Sequence, residues 1–298
     1  MNKANRTTAT RILITNMFFL ITVLSVNISF GQTDKLGEIV DRIAEINVVQ
    51  HEYIGIEFSE SDNYKNFKQL KDIATTEELV LLTDNKNATV ACYATWALAD
   101  NNYKDLKTIF QKFILEDREI RDFSGCINMN DYISSSLYHR YWGRMYIKKT
   151  LTDKILIELD SIIIYSKTPI SWLLIKRALD NRIYVEPYKT QISILAFERE
   201  NMDAVLYLST WHKAEYADNI KVALLKYLKE QDFEDSWAKD YYTIVEELFK
   251  FNDPEIKKAI IAKMKQDRHW EKEKELFKRL LSNNGIYNIE NEWEKQHY

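Results

Sequence analysis

The stretch TTEELVLLTDNKNATVACYATWALAD, residues Thr75–Asp100, writes two short helices and the turn that joins them. Thr75 stands three residues before Glu78, the capping-box spacing in which the two side chains satisfy free backbone N–H groups at a helix start. A helix therefore begins here. Val90, Ala94, Ala97 and Leu98 then recur at i, i+4, i+7 and i+8, gathering small and branched apolar groups on one helical stripe. The second helix is expected to lie against the first. Such a pair can bury its remaining apolar surface only against neighbouring pairs, so the pattern points to an all-α chain, an α-solenoid of stacked antiparallel helix pairs.

Outward from that pair, apolar periodicity marks further helices joined by short polar connections. Leu36, Ile39, Val40, Ile43 and Ile46 form the first, and His51–Asn63, with Gly55 inside it, is expected to be an irregular connection. Tyr64–Ala74 is expected to be a short helix, and another runs through Leu106, Ile109, Phe110 and Phe113. Asp122–Asp131 is expected to be the longest loop, and no strand pattern competes. Downstream, the helices expected are Tyr132–Lys149, Thr152–Tyr165, Pro169–Asn181, Tyr188–Glu198, Met202–Thr210, Tyr216–Lys229, Ser236–Lys250, Pro254–Lys265 and Asp267–Leu281. Thr168–Pro169 and Asp253–Pro254 read as a cap plus first turn, where the missing proline N–H is not needed. Asn283, Asn284 and Gly285 close the last helix, because these residues tolerate left-handed backbone. No linker rich in Pro, Gly or Ser interrupts residues 32–285, which read as a single helical repeat domain followed by a polar tail, 286–298, that carries Trp293.

Composition narrows the function classes. Six Gly and three Pro in 298 residues are too few for a sandwich or barrel with many tight hairpins. At the N-terminus, Lys3, Arg6 and Arg11 precede the apolar run Ile12–Phe30, and no acid occurs before Asp34. That is the form of a secretory signal peptide, residues 1–31, with cleavage expected before Gln32 and export to the periplasm or beyond. An uncleaved run of this length would instead anchor the chain in a membrane. Loss of the three basic residues lowers the basic count from 41 to 38 against 45 acids, a formal charge of −7. Lys and Arg alternate with Asp and Glu along the chain, so no concentrated basic face is expected to grip nucleic acid. Cys92 and Cys126 remain after cleavage; an oxidising compartment permits a bridge between them, and spacing alone leaves bridge and free thiols both open.

Leu79–Ala99 resembles a HEAT-type repeat, with Asp84 closing the first helix and Val90, Ala94 and Leu98 in the core positions of the second. Ala91 stands where such repeats commonly carry Arg. The wider run Tyr53–Asp100 is similar to secreted bacterial proteins that carry helical repeats, a resemblance that implies a fold and a compartment and brings no activity with it.

Candidate binding residues lie on the faces that remain. Cys92, Trp96 and Ala99 share the helix face opposite Val90, Ala94 and Leu98. Either they line a concave groove in which Trp96 anchors a partner, or the helix is buried on both sides. The segment YHRYWGRMY, Tyr138–Tyr146, places Tyr138, Tyr141, Trp142 and Met145 on one stripe, with Arg140 and Arg144 on another. Aromatic rings beside guanidinium forks suit glycan or carboxylate recognition, and an aromatic stripe equally suits a core. His139 would be the base of a helical polysaccharide lyase. The five histidines show no HExxH or comparable zinc spacing, and neither a GxSxG elbow nor a glycine-rich phosphate loop occurs, so no metal, cofactor or catalytic residue is expected. The reading is a secreted or periplasmic scaffold that binds a protein partner, with a carbohydrate-active helical protein as the alternative.

Overall fold

The computed structural model describes residues 35–230 and 238–287. The expected signal peptide and tail residues 288–298 lie outside the described residues. Helices dominate, and a small mixed sheet joins them. The chain divides into two compact units, the first comprising Met1–Ile162 with Ser166–Pro169 and the second Ile163–Tyr165 with Ile170–Tyr298. The division falls around the end of one helix, where composition leaves no mark.

In the first unit, α1 covers residues 35–46 and is followed by β1 (Val49–Ile54) and β2 (Ser59–Glu60). Then come α2 (Asp62–Ile73), α3 (Thr76–Leu82), α4 (Ala88–Asp100) and α5 (Leu106–Leu115). A hairpin of β3 (Glu119–Gly125) and β4 (Ile127–Tyr132) leads into α6 (Ile133–Ile147) and α7 (Lys154–Tyr165), whose last three residues belong to the second unit. The sheet order is β2-β1-β3-β4, with β1 and β3 parallel and the outer pairs antiparallel.

The strands correct two expectations. His51–Asn63 and Asp122–Asp131, expected as irregular connections, carry most of the sheet. They escape a periodicity search because the strands are short and mostly polar. Ser124 pairs with Ile127, leaving Gly125 and Cys126 as a two-residue turn, and Gly125 has φ +54°, a conformation open to glycine without steric cost. The chain is thus mostly helical, as the all-α reading has it, with a small mixed sheet added.

The helix pair of the opening stretch forms as read. The Thr75 hydroxyl accepts from Glu78 N–H at 3.2 Å and Thr75 N–H donates to the Glu78 carboxylate at 2.8 Å. Asn87 caps α4 by accepting from Val90 N–H at 3.1 Å. Every residue of α4 from Thr89 to Ala99 is buried, so this helix is enclosed on all sides, by α3, α2, α5, α6 and the sheet. Tyr93 joins α4 to the sheet: its hydroxyl accepts from Gln50 N–H at 2.7 Å and donates to Gln50 C=O at 2.9 Å.

The second unit contains α8 (Trp172–Asp180), α9 (Tyr188–Phe197), α10 (Met202–Trp211), α11 (Lys213–Glu230), α12 (Ala238–Phe249), α13 (Pro254–Gln266), a 3-10 turn (His269–Glu273) and α14 (Lys274–Asn283). Contacts run between near neighbours in sequence: α10 meets α8, α9 and α11, and α11 meets α12 and α13. Asp253 caps α13 by accepting from Glu255 N–H at 2.9 Å, with Pro254 in the first turn as expected. Thr168–Pro169 does not start a helix. α8 begins at Trp172, and the Thr168 hydroxyl instead donates to the Ile114 carbonyl at 3.3 Å near the end of α5.

Candidate functional site

The five candidate residues all belong to the first unit, and the structure brings Cys92, Trp96, Arg140 and Arg144 together around α4. Trp96 is 1% exposed. Its indole N–H donates to Ser136 Oγ at 2.9 Å, and the Cys92 thiol donates to the same oxygen at 3.3 Å. Phe67 and Tyr93 pack around the indole with ring centroids 5.6 and 5.4 Å away. Of the two readings of this face, burial on both sides is the one the structure presents, and among the described residues no open groove passes Trp96. Burial pushes the Cys92 thiol far up, the Ser136 hydrogen bond offsetting only part, so it is an unreactive packed thiol. Cys126 is exposed at the β3–β4 turn, and both cysteines are free.

Arg140 lies over the rings that surround Trp96. Its guanidinium carbon is 4.9 Å from the Trp96 ring centre, 5.3 Å from Phe67 and 5.9 Å from Tyr64. Its Nε and Nη2 donate to the two Asp100 oxygens at 2.9 and 2.7 Å, a bidentate fork. Lys71 adds a third bond to Asp100 at 3.1 Å. Burial alone would raise the Asp100 carboxyl, yet the Arg140 hydrogen bonds and charge, with Lys71 behind them, hold it below its usual value. Arg144 donates to the Ala99 carbonyl and, at 3.2 Å, to Asn102 Oδ1. These cations meet the free carbonyls and partial negative charge at the α4 C-terminus, where a lone Asp100 would be repelled.

Trp142 stands apart from this network. It is half-buried and stacks on Tyr146, which is 59% exposed, with centroids 4.8 Å apart. The rest of its expected stripe is core: Tyr138 donates to Asp160 at 2.6 Å, Tyr141 donates to Asp153 at 2.7 Å, and Met145 is buried.

Beside the Trp96 edge, His51 Nε2 lies 3.2 Å from Asp122 Oδ2, and the imidazole meets the indole edge-on at 5.0 Å. Sequence reading missed this pair because His51 and Asp122 sit on strands it did not expect. Two acids near by are perturbed: burial raises Asp117 and Asp131, against the lowering effect of hydrogen bonds from Ser134 to the first and from Tyr132 N–H and Ser135 to the second. Among the described residues no group of three or more His, Cys, Asp or Glu is arranged to hold a metal ion, and no helix is long and apolar enough to cross a membrane.

One open concave surface lies elsewhere. In the second unit, α9, α10 and α11 enclose a cleft of about 660 Å³. Phe197, Met202, Val205, Val222, Ala223 and Tyr227 supply its apolar walls. Val222 is 67% exposed, in the middle of a helix. Three acids, Glu200, Asp218 and Glu230, stand on the rim with one cation, Lys226, which pairs with Glu200 at 2.5 Å. The i, i+4 spacing of Asp218 and Val222, continued by Lys226 and Glu230, places all four along one face of α11. That periodicity is legible in the sequence, although nothing there shows the face to be uncovered.

Compared with known proteins, the chain matches no family model, no curated protein and no solved structure.

Proposed function

We propose that this protein is an exported, non-enzymatic helical scaffold whose second unit, a short α-solenoid, holds a basic amphipathic segment of a protein partner in the α9–α11 cleft. The observation that carries this reading is the cleft itself, an apolar trough with three acids and one already paired cation on its rim. An apolar helix face fits such a trough, and Lys or Arg at its flanks would meet Glu230 and Asp218. Contacts between helices close in sequence support the solenoid description, and the basic-then-apolar start of the chain supports export.

The test is a displayed random-peptide library selected on the wild-type protein and counter-selected on Val222→Asp. Peptides pairing apolar residues with Lys or Arg, and bound at least 10-fold more weakly by the variant, support the reading. Enrichment indifferent to Val222, or none at all, overturns it. Because Val222 faces solvent, the variant should keep its stability within about 0.5 kcal/mol of wild type.

A second reading, glycan binding, rests on the stacked and partly exposed Trp142–Tyr146 pair with Arg144 on the same helix. Its lyase form would call on His139, on the same helix, as the base. A glycan panel that retains wild type and loses Trp142→Ala would favour this reading.

A further inference from the structure

A second cleft of the same unit, independent of the one above, lies between the end of α13 and α14 and has a volume of about 780 Å³. Its floor is apolar: Met264, Trp270, Leu281 and Ile286 are all buried. Trp270 is fixed by donating its indole N–H to the Met264 carbonyl at 2.7 Å and meets Phe277 edge-on. The walls carry opposite electrostatics to the α9–α11 cleft. Among the described residues, Lys265, Arg268, Lys274, Lys278 and Arg279 face Glu271 and Glu275 alone, and both acids already have partners, Glu271 in Arg268 and Glu275 in Lys278.

The chain leaves the described structure at the wall of this cleft. After α14, Gly285 adopts φ +74°, its N–H bonds Ser282 C=O at 3.0 Å, and Ile286 N–H bonds Leu281 C=O at 2.9 Å. This pair of bonds is a Schellman motif, which turns the chain back along the helix it has just left. Ile286 is thereby buried in the cleft and Tyr287 stands exposed on its rim. The chain then continues as NIENEWEKQHY, residues 288–298, with Glu290, Glu292 and Glu294 around Trp293 and Lys295 as its single Lys or Arg. Trp293, six residues beyond Tyr287, can travel up to about 20 Å from it, enough to return to the Trp270 floor. An acidic segment carrying Trp293 is complementary in charge and polarity to a basic cleft with an aromatic floor.

We infer that the cleft between α13 and α14 is the docking site of the chain's own segment 288–298, with Trp293 on the apolar floor and the three glutamates against the lysines and arginines. Tethering makes the docking intramolecular, at an effective concentration of roughly millimolar, so modest contacts suffice to fill the cleft.

The test uses a synthetic peptide of residues 288–298 against the full chain and a chain stopped after Tyr287, with titration calorimetry as the readout. The stopped chain should bind the peptide, Trp293→Ala in the peptide should weaken binding at least 10-fold, and the full chain should bind it at least 10-fold more weakly because the cleft is already filled. Equal binding by both chains would overturn self-docking and show a cleft open to an acidic partner. Binding by neither would overturn the site altogether. Should the stopped chain not fold, full-length Lys274→Glu/Arg279→Glu decides: faster amide exchange than wild type across residues 288–298 is expected, and unchanged exchange refutes the docking.

Discussion

The surroundings of α4 in the first unit and the α9–α11 cleft of the second draw on the same residue types, aromatics, aliphatics and charged groups, and reach opposite outcomes. Around α4, Trp96 has its N–H bonded, its face covered by Arg140 and its edge met by His51, while Asp100 and Arg140 pair in a fork. Along α11, Val222 lies largely open, with Asp218 and Glu230 above it. A residue with arresting chemistry is therefore no guide to a binding surface, because a Trp or Arg enclosed by satisfied partners stabilises the fold and meets nothing else. What marks the cleft is apolar surface left exposed on a helix where burial was available.

That contrast can be broken by substitution, and Trp96→Ala should do most. Removing an enclosed indole leaves a cavity, and the loss should be about 3–5 kcal/mol, read from urea unfolding. Retained stability would mean that α4 is less tightly enclosed than its burial shows. The variant accordingly reports folding and is unsuitable as a binding control.

Asp100→Ala should come next, costing about 2–3 kcal/mol because it strands Arg140 and Lys71. Adding Arg140→Met should recover part of that loss, since no uncompensated guanidinium then remains. The sign with pH is set by the depressed Asp100 carboxyl: its contribution is present above the unfolded carboxylate value and disappears as pH falls through the lower folded one. An unchanged acid limb in Asp100→Asn would refute that assignment.

Asp131 should behave in the opposite sense and more weakly. Burial raises its carboxyl, so the folded state holds the proton more tightly than the unfolded chain does. Its contribution is complete below the unfolded carboxylate value and is lost as pH rises through the higher folded value. Asp131→Asn should therefore lessen the decline in stability as pH rises above the unfolded carboxylate value, read from urea unfolding across a pH series; a steeper decline would reverse the sign argued here. Val222→Asp should be the smallest perturbation of all in stability while abolishing peptide capture. A large stability loss would show that Val222 is a core residue and that the cleft is closed in solution.

Much of the helical framework was legible because it depends on neighbours in sequence. Thr75 with Glu78, Asp253 before Pro254, and the Asn284–Gly285 stop are local devices whose geometry is set within a few residues. The sheet was not legible, since β1 pairs in parallel with β3 some 70 residues away and neither strand alternates cleanly. The candidate site was half legible: the apolar second face of α4 and the Arg140–Arg144 spacing were visible, and Asp100, Ser136 and His51, which complete that network, were not.

By itself the amino-acid sequence determined the helical character, the caps and stops, and the mixed charge along the chain, because these are properties of composition and short-range periodicity. Only the tertiary structure decided that Trp96 and Arg140 are interior and that Val222 is not, because exposure depends on which distant elements cover a face. The sheet met the α4 face, and no described element covers Val222 on α11, a difference that no spacing along the chain encodes.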